Sequence, residues 1–156
     1  MSQLIFKNEY VCKLDDRFRL KLPIELKRAL PVECNMKLAL YRRMGSKEIL
    51  HLKPIHLWDK EIELIMQNMN QFSPAHSRFM DTVMSGFKEV DVDSADRIQI
   101  PASVADIFAN DKEVIVRGQG DYIVLQSKKM RDDALDTNAM TEEEIELLSA
   151  ILLKKQ

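Results

Sequence analysis

The feature that most constrains this chain is an internal repeat. Residues 14–23 (LDDRFRLKLP) align with residues 92–101 (VDSADRIQIP) at a constant displacement of 78 positions, which sets Asp15 on Asp93, Arg19 on Arg97 and Pro23 on Pro101. The apolar pair Leu20 and Leu22 falls on Ile98 and Ile100. The match continues with small length changes: residues 37–43 (KLALYRR) correspond to 113–119 (EVIVRGQ), and 49–52 (ILHL) to 122–125 (YIVL). Two copies of roughly 45 residues are too few and too far apart for a solenoid, so a duplicated small β unit is the reading. Each copy predicts a strand with alternating apolar residues (Tyr10, Cys12 and Leu14 in the first), a polar loop, and a short alternating strand. Proline then opens a short helix, over 23–30 and over 101–108, because its fixed φ suits the first helical turn. Two more strands follow, around turns containing Gly45 in one copy and Gly118 and Gly120 in the other.

Between the copies the pattern turns helical. Trp58, Ile62, Ile65, Met66 and Met69 share one helix face, and Ser73–Pro74 signals a second start. Phe79, Met80, Val83, Met84 and Phe87 continue an apolar stripe towards a stop at Gly86. This Met-rich stripe reads as core or subunit interface. Near the end, Thr141 and Glu144 form a capping-box pattern ahead of an amphipathic helix carrying Ile145, Leu148, Ile151 and Leu152. The preceding RDDALDTNAM reads as a flexible polar linker.

Composition narrows the function classes. The 156 residues suffice for one domain or two very small ones, and the 46% hydrophobic content excludes a disordered chain. No apolar run reaches the ~18–20 residues of a membrane span, and the first residues do not read as a secretory leader. Cys12 and Cys34 make no disulfide framework and fit a reducing cytoplasm. The net charge of -2 hides an asymmetry: residues 1–54 carry 12 Lys/Arg against 6 Asp/Glu, while residues 55–156 carry 11 against 19. A basic half raises the question of a polyanionic partner.

Three chemistries compete for the conspicuous residues. Cys12, Cys34, His51, His56 and His76 lack the convergent spacing of a zinc site. DVDSAD opens like a calcium loop, but Ala95, Asp96 and Ala102 stand where a ligand, the glycine and the bidentate glutamate belong. Asp15 and Asp16 are adjacent carboxylates that point apart, and no P-loop, nucleophile elbow or dinucleotide fingerprint is present. The expectation is therefore no enzyme, no cofactor, no metal and no small-molecule substrate. Nucleic-acid binding fares better: Lys7, Lys13, Arg17, Arg19 and Lys21 concentrate around the first loop, with Arg17, Arg19 and Lys21 on one face of an extended chain. The recurrent Asp-x-x-x-Arg leaves a structural role open too, since aspartate bonds loop N–H groups and arginine pairs with it.

At these residues the chain resembles the MraZ family, whose members carry two AbrB/SpoVT-like units. The resemblance covers most of residues 6–130. It rests on the duplicated Asp-x-x-x-Arg–apolar-x-apolar–Pro motif, on Glu9–Tyr10, on Pro54 with Trp58, and on the stretch from Arg78 through GFKEVDVD to Asp93. It implies an α+β, mainly β fold of two tandem swapped-hairpin units forming an intrachain pseudo-dimer. The first unit would span 6–58, connecting helices 59–86, the second unit 87–131, and a linker with a C-terminal helix 132–156. It further implies a nucleoid-associated repressor of the division and cell-wall gene cluster, assembled as a ring-shaped homo-oligomer on short direct repeats in double-stranded promoter DNA. The alternative is a protein–protein assembly module of the same fold that has lost DNA binding. Arg19 and Arg97 stand at the family's motif arginine, and Arg17 where lysine is usual. Phe18 and Asp96 replace the usual glycine; phenylalanine takes positive φ poorly, so the first loop is expected to differ in shape. Asp96 adds negative charge beside Arg97, so copy one is expected to carry most of the DNA contact. The expected DNA-binding set is Arg17, Arg19, Lys13, Lys21, Lys7 and Arg97, with Asp15, Asp93, Pro23 and Pro101 structural.

Overall fold

The computed structural model describes residues 3–108, 111–134 and 140–154. The fold is α+β with antiparallel sheets. The repeat dictates its strands: β1 (Glu9–Lys13), β2 (Arg19–Lys21), β3 (Lys37–Arg42) and β4 (Leu50–Pro54) recur as β5 (Phe87–Asp91), β6 (Arg97–Gln99), β7 (Glu113–Gly118) and β8 (Ile123–Ser127). Six strands form one sheet in the order β1-β7-β8-β4-β3-β5, and β2 and β6 form a separate ribbon.

The pairing is reciprocal between the copies. β1 of the first copy pairs with β7 of the second, and β5 of the second with β3 of the first. The equivalent pairs Glu9↔Arg117 and Phe87↔Tyr41 stand in the same register. At two places a residue faces its own repeat-mate: Leu20 opposes Ile98 in the ribbon, and His51 opposes Val124 between β4 and β8. The sheet order therefore reads the same from either end when each strand is replaced by its repeat-mate.

Period-2 alternation assigns the two faces of the large sheet. Leu38, Leu40, Leu50, Leu52, Val114, Val116, Ile123 and Leu125 point to one side and join Leu20 and Ile98 of the ribbon in the main core. Leu20 and Ile98 are both 0% exposed, so the ribbon is nailed to the sheet by its inner face while its outer face stays wet. On the other side Ala39, Trp58 and Ile62 form a smaller cluster, with Tyr41, Phe79, Val83 and Phe87 packed against it.

Helices fill the connections. α1 (Ile24–Ala29) starts directly after Pro23, as the proline signal predicts. Its counterpart after Pro101 is only a 3₁₀ turn, Ala105–Phe108, rather than a helix over 101–108. α2 (Ile55–Asn68) buries Trp58 and Ile62, while Leu64 and Met66 of the same helix are exposed. α3 (Pro74–Gly86) has Ser73 as N-cap, its Oγ accepting from the Ala75 N–H at 3.2 Å. Gly86 ends α3 without a left-handed residue; Phe87 is extended and enters β5 at once. A further helix, α4 (Lys128–Ala134), occupies the start of the segment expected as linker, of which residues 135–139 lie outside the described residues. α5 (Glu142–Lys154) carries the expected capping box: Thr141 N–H donates to Glu144 Oε1 at 2.9 Å and Glu144 N–H to Thr141 Oγ1 at 3.2 Å. No residue of α5 is buried. Among the described residues no helix is long and apolar enough to cross a membrane.

Candidate nucleic-acid interface

The two Asp-x-x-x-Arg loops are built alike. Asp15 Oδ1 accepts the backbone N–H groups of Arg17 and Arg19, both at 2.8 Å, and Oδ2 accepts from Arg19 Nε at 2.7 Å. Asp93 Oδ1 accepts the N–H groups of Ala95 and Arg97, both at 2.9 Å, and Oδ2 accepts from Arg97 Nε at 3.1 Å. The backbone closes each loop the same way, with Phe18 N–H donating to Asp15 O and Asp96 N–H to Asp93 O, each at 3.0 Å. The Arg19 N–H first, then its guanidinium and the Arg17 N–H, holds the Asp15 carboxyl below the usual carboxylate range. The Arg97 and Ala95 N–H groups and the Arg97 guanidinium do the same for Asp93.

A left-handed residue precedes each arginine: Phe18 has φ 57° and Asp96 has φ 63°. The expectation that Phe18 reshapes the first loop is therefore corrected. A three-residue hairpin loop that ends in a left-handed residue sets this geometry, and the three bonds to Asp15 hold Phe18 in a conformation that costs a non-glycine residue ~1–2 kcal/mol. The loops also brace each other. Phe18 O accepts from Ile100 N–H and Asp96 O from Leu22 N–H, both at 2.8 Å, and Gln99 Nε2 donates to Arg17 O at 2.7 Å. The Asp96 carboxylate does not stand unopposed beside Arg97; Lys27 of α1 pairs with it at 3.2 Å.

The ribbon brings together most of the expected set. With Leu20 and Ile98 pointing inward, Arg19 and Lys21 of β2 face outward with Arg97 and Gln99 of β6, in the registers Arg19↔Gln99 and Lys21↔Arg97. Arg17 is exposed in the loop beyond. Each motif arginine commits Nε to its aspartate, and its two terminal nitrogens make no hydrogen bond to other described residues. Lys13 lies close by at the end of β1, paired in register with Glu113, and the Leu14↔Leu20 bridge ties that end to the ribbon. Lys7 is not brought in: it sits at the opposite end of β1, where its backbone crosses Gly118. Pro23 and Pro101 follow the ribbon strands as the exits of the two motifs. Gln99, which both faces outward and fixes the first loop, was missed in the sequence; its repeat-mate Lys21 marked the position.

No family model matches the chain. Curated relatives do. It is 26% identical over 127 residues to "Transcriptional regulator MraZ" of Flavobacterium psychrophilum, covering 81% of this chain and 80% of that one. Over 145 residues it is 22% identical to the protein of that name from Acidobacterium capsulatum, covering 93% and 97%. To that of Halothermothrix orenii it is 28% identical over 141 residues, covering 90% and 94%. Over most of its length the chain is thus similar to proteins of one name, transcriptional regulator MraZ, from separate bacteria.

Proposed function

We propose that the protein is a sequence-specific DNA-binding repressor that reads double-stranded promoter DNA with the outer face of the β2–β6 ribbon. One observation carries the reading: a two-stranded antiparallel ribbon, anchored from behind, presents Arg19, Lys21, Arg97 and Gln99 together. The major groove of B-DNA admits such a ribbon, and arginine and glutamine are side chains that read guanine and adenine there. Arg17 and Lys13 flank the face and supply phosphate contacts, whose counterion release gives most of the affinity. Lys7 serves no contact at this face. Because the two loops share one geometry and Asp96 is paired by Lys27, Arg97 contributes as Arg19 does, and both copies meet the DNA.

The strand exchange between copies supports two tandem swapped-hairpin units, 6–58 and 87–131, acting as an intrachain pseudo-dimer joined through 59–86. The segment 132–156 belongs to assembly. An isolated helix of the length of α5 is marginal in water, and Ile145, Leu148, Ile151 and Leu152 are all exposed on it. That supports a homo-oligomer, in ring form, which would engage short direct repeats together and gain effective concentration. The target in this reading is the promoter of the cluster containing the protein's own gene. The exposed apolar residues of α5 also favour a second reading, an assembly module without DNA binding.

Fluorescence anisotropy on the protein's own upstream DNA, against a scrambled duplex at the same salt, separates the two. Tighter binding to the upstream duplex is expected. Equal, weak binding to both duplexes with oligomerisation intact would leave the assembly module as the function.

A further inference from the structure

The repeat places two equivalent hollows on the outer side of the large sheet, and only one is apolar. In the first copy Tyr41 of β3, Phe87 of β5 and Trp58, the fourth residue of α2, stack together, with ring centroids 4.4 Å apart for Tyr41–Trp58 and 5.2 Å for Trp58–Phe87. In the second copy the corresponding places hold Arg117 of β7, Glu9 of β1 and Arg131, the fourth residue of α4. Arg117 and Arg131, with Arg43, line a pocket of about 390 Å³.

The arginines form its interior. The side chains of Arg117 and Arg131 are 13% and 22% exposed. Their compensation is thin. Glu9 Oε1 reaches Arg117 Nε at 3.8 Å and Arg131 Nη2 at 3.5 Å, longer than a charge-assisted hydrogen bond. Arg117 Nη2 donates to Gln126 Oε1 at 2.7 Å. The Nε atoms of Arg117 and Arg131 are both buried and without a hydrogen-bond partner. A neutral imidazole orients the third arginine: Arg43 Nε donates to His51 Nε2 at 3.0 Å, which leaves its terminal nitrogens without a partner among the described residues. Glu48 and Asp133 also line the pocket, but both are exposed at its rim.

Buried guanidinium donors left unpaired are costly, and like charges lining one pocket repel, with Arg117 and Arg131 sharing the single Glu9 carboxylate. A compact anion with several acceptor oxygens relieves both. We propose that the pocket formed by Arg43, Arg117 and Arg131 binds a small dianion bearing a phosphoryl group, separately from the DNA-reading ribbon. Planar forks of N–H donors match phosphate oxygens in pairs. The acidic rim selects a small, deeply seated dianion over an extended phosphodiester backbone. The site lies between the β3–β4 connection of the first copy and β7, β8 and α4 of the second, so both copies line it.

Inorganic phosphate is the probe. Isothermal titration and thermal melts of the full chain are run in phosphate and in chloride at matched ionic strength. Saturable binding and a rise in melting temperature are expected in phosphate alone. Arg131→Gln and Arg43→Gln should each weaken phosphate binding ~10-fold or more, as loss of a charge-assisted pair predicts, while Arg19→Ala should leave it unchanged. Melting in chloride checks that the variants fold, and Arg43→Gln, which lies in a different connection of the fold, covers the case in which Arg131→Gln does not. No phosphate response beyond chloride, an undiminished response in both glutamine variants, or loss of the response in Arg19→Ala overturns the proposal. So does a result in which Arg131→Gln leaves phosphate binding intact and weakens promoter binding, because the pocket then serves the DNA backbone.

Discussion

Replacing Arg19 and Arg97 one at a time by alanine tests whether the ribbon acts as a symmetric reader. Each guanidinium gives Nε to its own aspartate, at 2.7 Å in the first loop and 3.1 Å in the second, and its terminal nitrogens make no hydrogen bond to other described residues. A bidentate arginine–base contact is worth ~1–3 kcal/mol of discrimination, so each variant should bind the specific duplex ~5–150-fold more weakly. The loops should survive: in Arg19→Ala the Asp15 carboxylate keeps its two backbone N–H donors at 2.8 Å, and exposed ion pairs add little to stability. The assay is anisotropy over a series of salt concentrations, with unfolding curves alongside. If either arginine touches a phosphate instead of a base, affinity falls evenly across sequences and the salt slope shrinks by ~1. The two losses should be of similar size, since the loops share one hydrogen-bond pattern and one face. A large loss in Arg19→Ala with none in Arg97→Ala would refute the symmetric face. No loss in either would remove the ribbon from DNA binding altogether.

Two further perturbations probe the frame behind that face. A Cβ on Gly118 would lie 2.3 Å from Lys7 N and 2.4 Å from Phe6 C, both backbone, so Gly118→Ala must push the N-terminal segment off β7. Overpacking of this kind costs ~1–3 kcal/mol, read as a lower urea midpoint; a midpoint equal to the parent's would show that the segment yields freely. Burial first, then the charges of Arg43, Lys53 and Arg117, pushes the His51 imidazole down to about 4, below its unfolded value of 6.5. The unfolded chain then binds the proton more readily, so this contribution is complete above pH 6.5 and is lost as pH falls towards 4. With the ring partly open to solvent the loss is discounted to ~1–2 kcal/mol. His51→Gln, compared with the parent by urea unfolding at pH 7.5 and pH 5, should flatten that decline; an equal decline in both proteins would assign it to other groups.

Much of this architecture was legible because a repeat carries tertiary information. The displacement of Asp15 to Asp93 predicted a loop at the same point of each copy, and the alternation of Leu20 with Leu22 predicted a strand whose charged residues face out. Strand exchange is not written in periodicity, because β1 could meet β3 or β7 with the same apolar pattern. The shape of the Phe18 loop was misread for a related reason. Propensity priced the left-handed φ alone, whereas the bonds from Arg17, Arg19 and Phe18 itself to Asp15 over-determine it. The 3₁₀ turn at Ala105–Phe108 escaped because proline marks where a helix can begin and says nothing about its length. Lys7 was grouped with the basic loop by sequence proximity, yet β1 carries it away from the ribbon.

Duplication followed by divergence explains how one symmetric frame holds two chemistries. The positions on the inner face of the sheet and the ribbon, Leu20 against Ile98 and Leu50 against Leu125, are apolar in both copies, because each faces its mate or its mate's neighbour across one shared core. A change there would have to be accommodated by both halves at once. The outer face carries no such constraint, since each half meets a different helix. Under α2 the positions became Tyr41, Trp58 and Phe87, which bury area; under the shorter α4 they became Arg117, Arg131 and Glu9, which bury charge. Even the buried polar positions diverged: Lys53 is paired by Glu61 and Asp121 where its repeat-mate Gln126 accepts from Arg117. The motif loops are the exception on the wet side of the molecule. They kept their aspartate and arginine in both copies, although Asp15 is only partly buried, Asp93 is exposed and neither loop is needed to fill the core. Braced reciprocally through Phe18, Asp96 and Gln99, they are held alike where nothing in the interior requires it, which is what the proposed reading of DNA by both loops at once would demand.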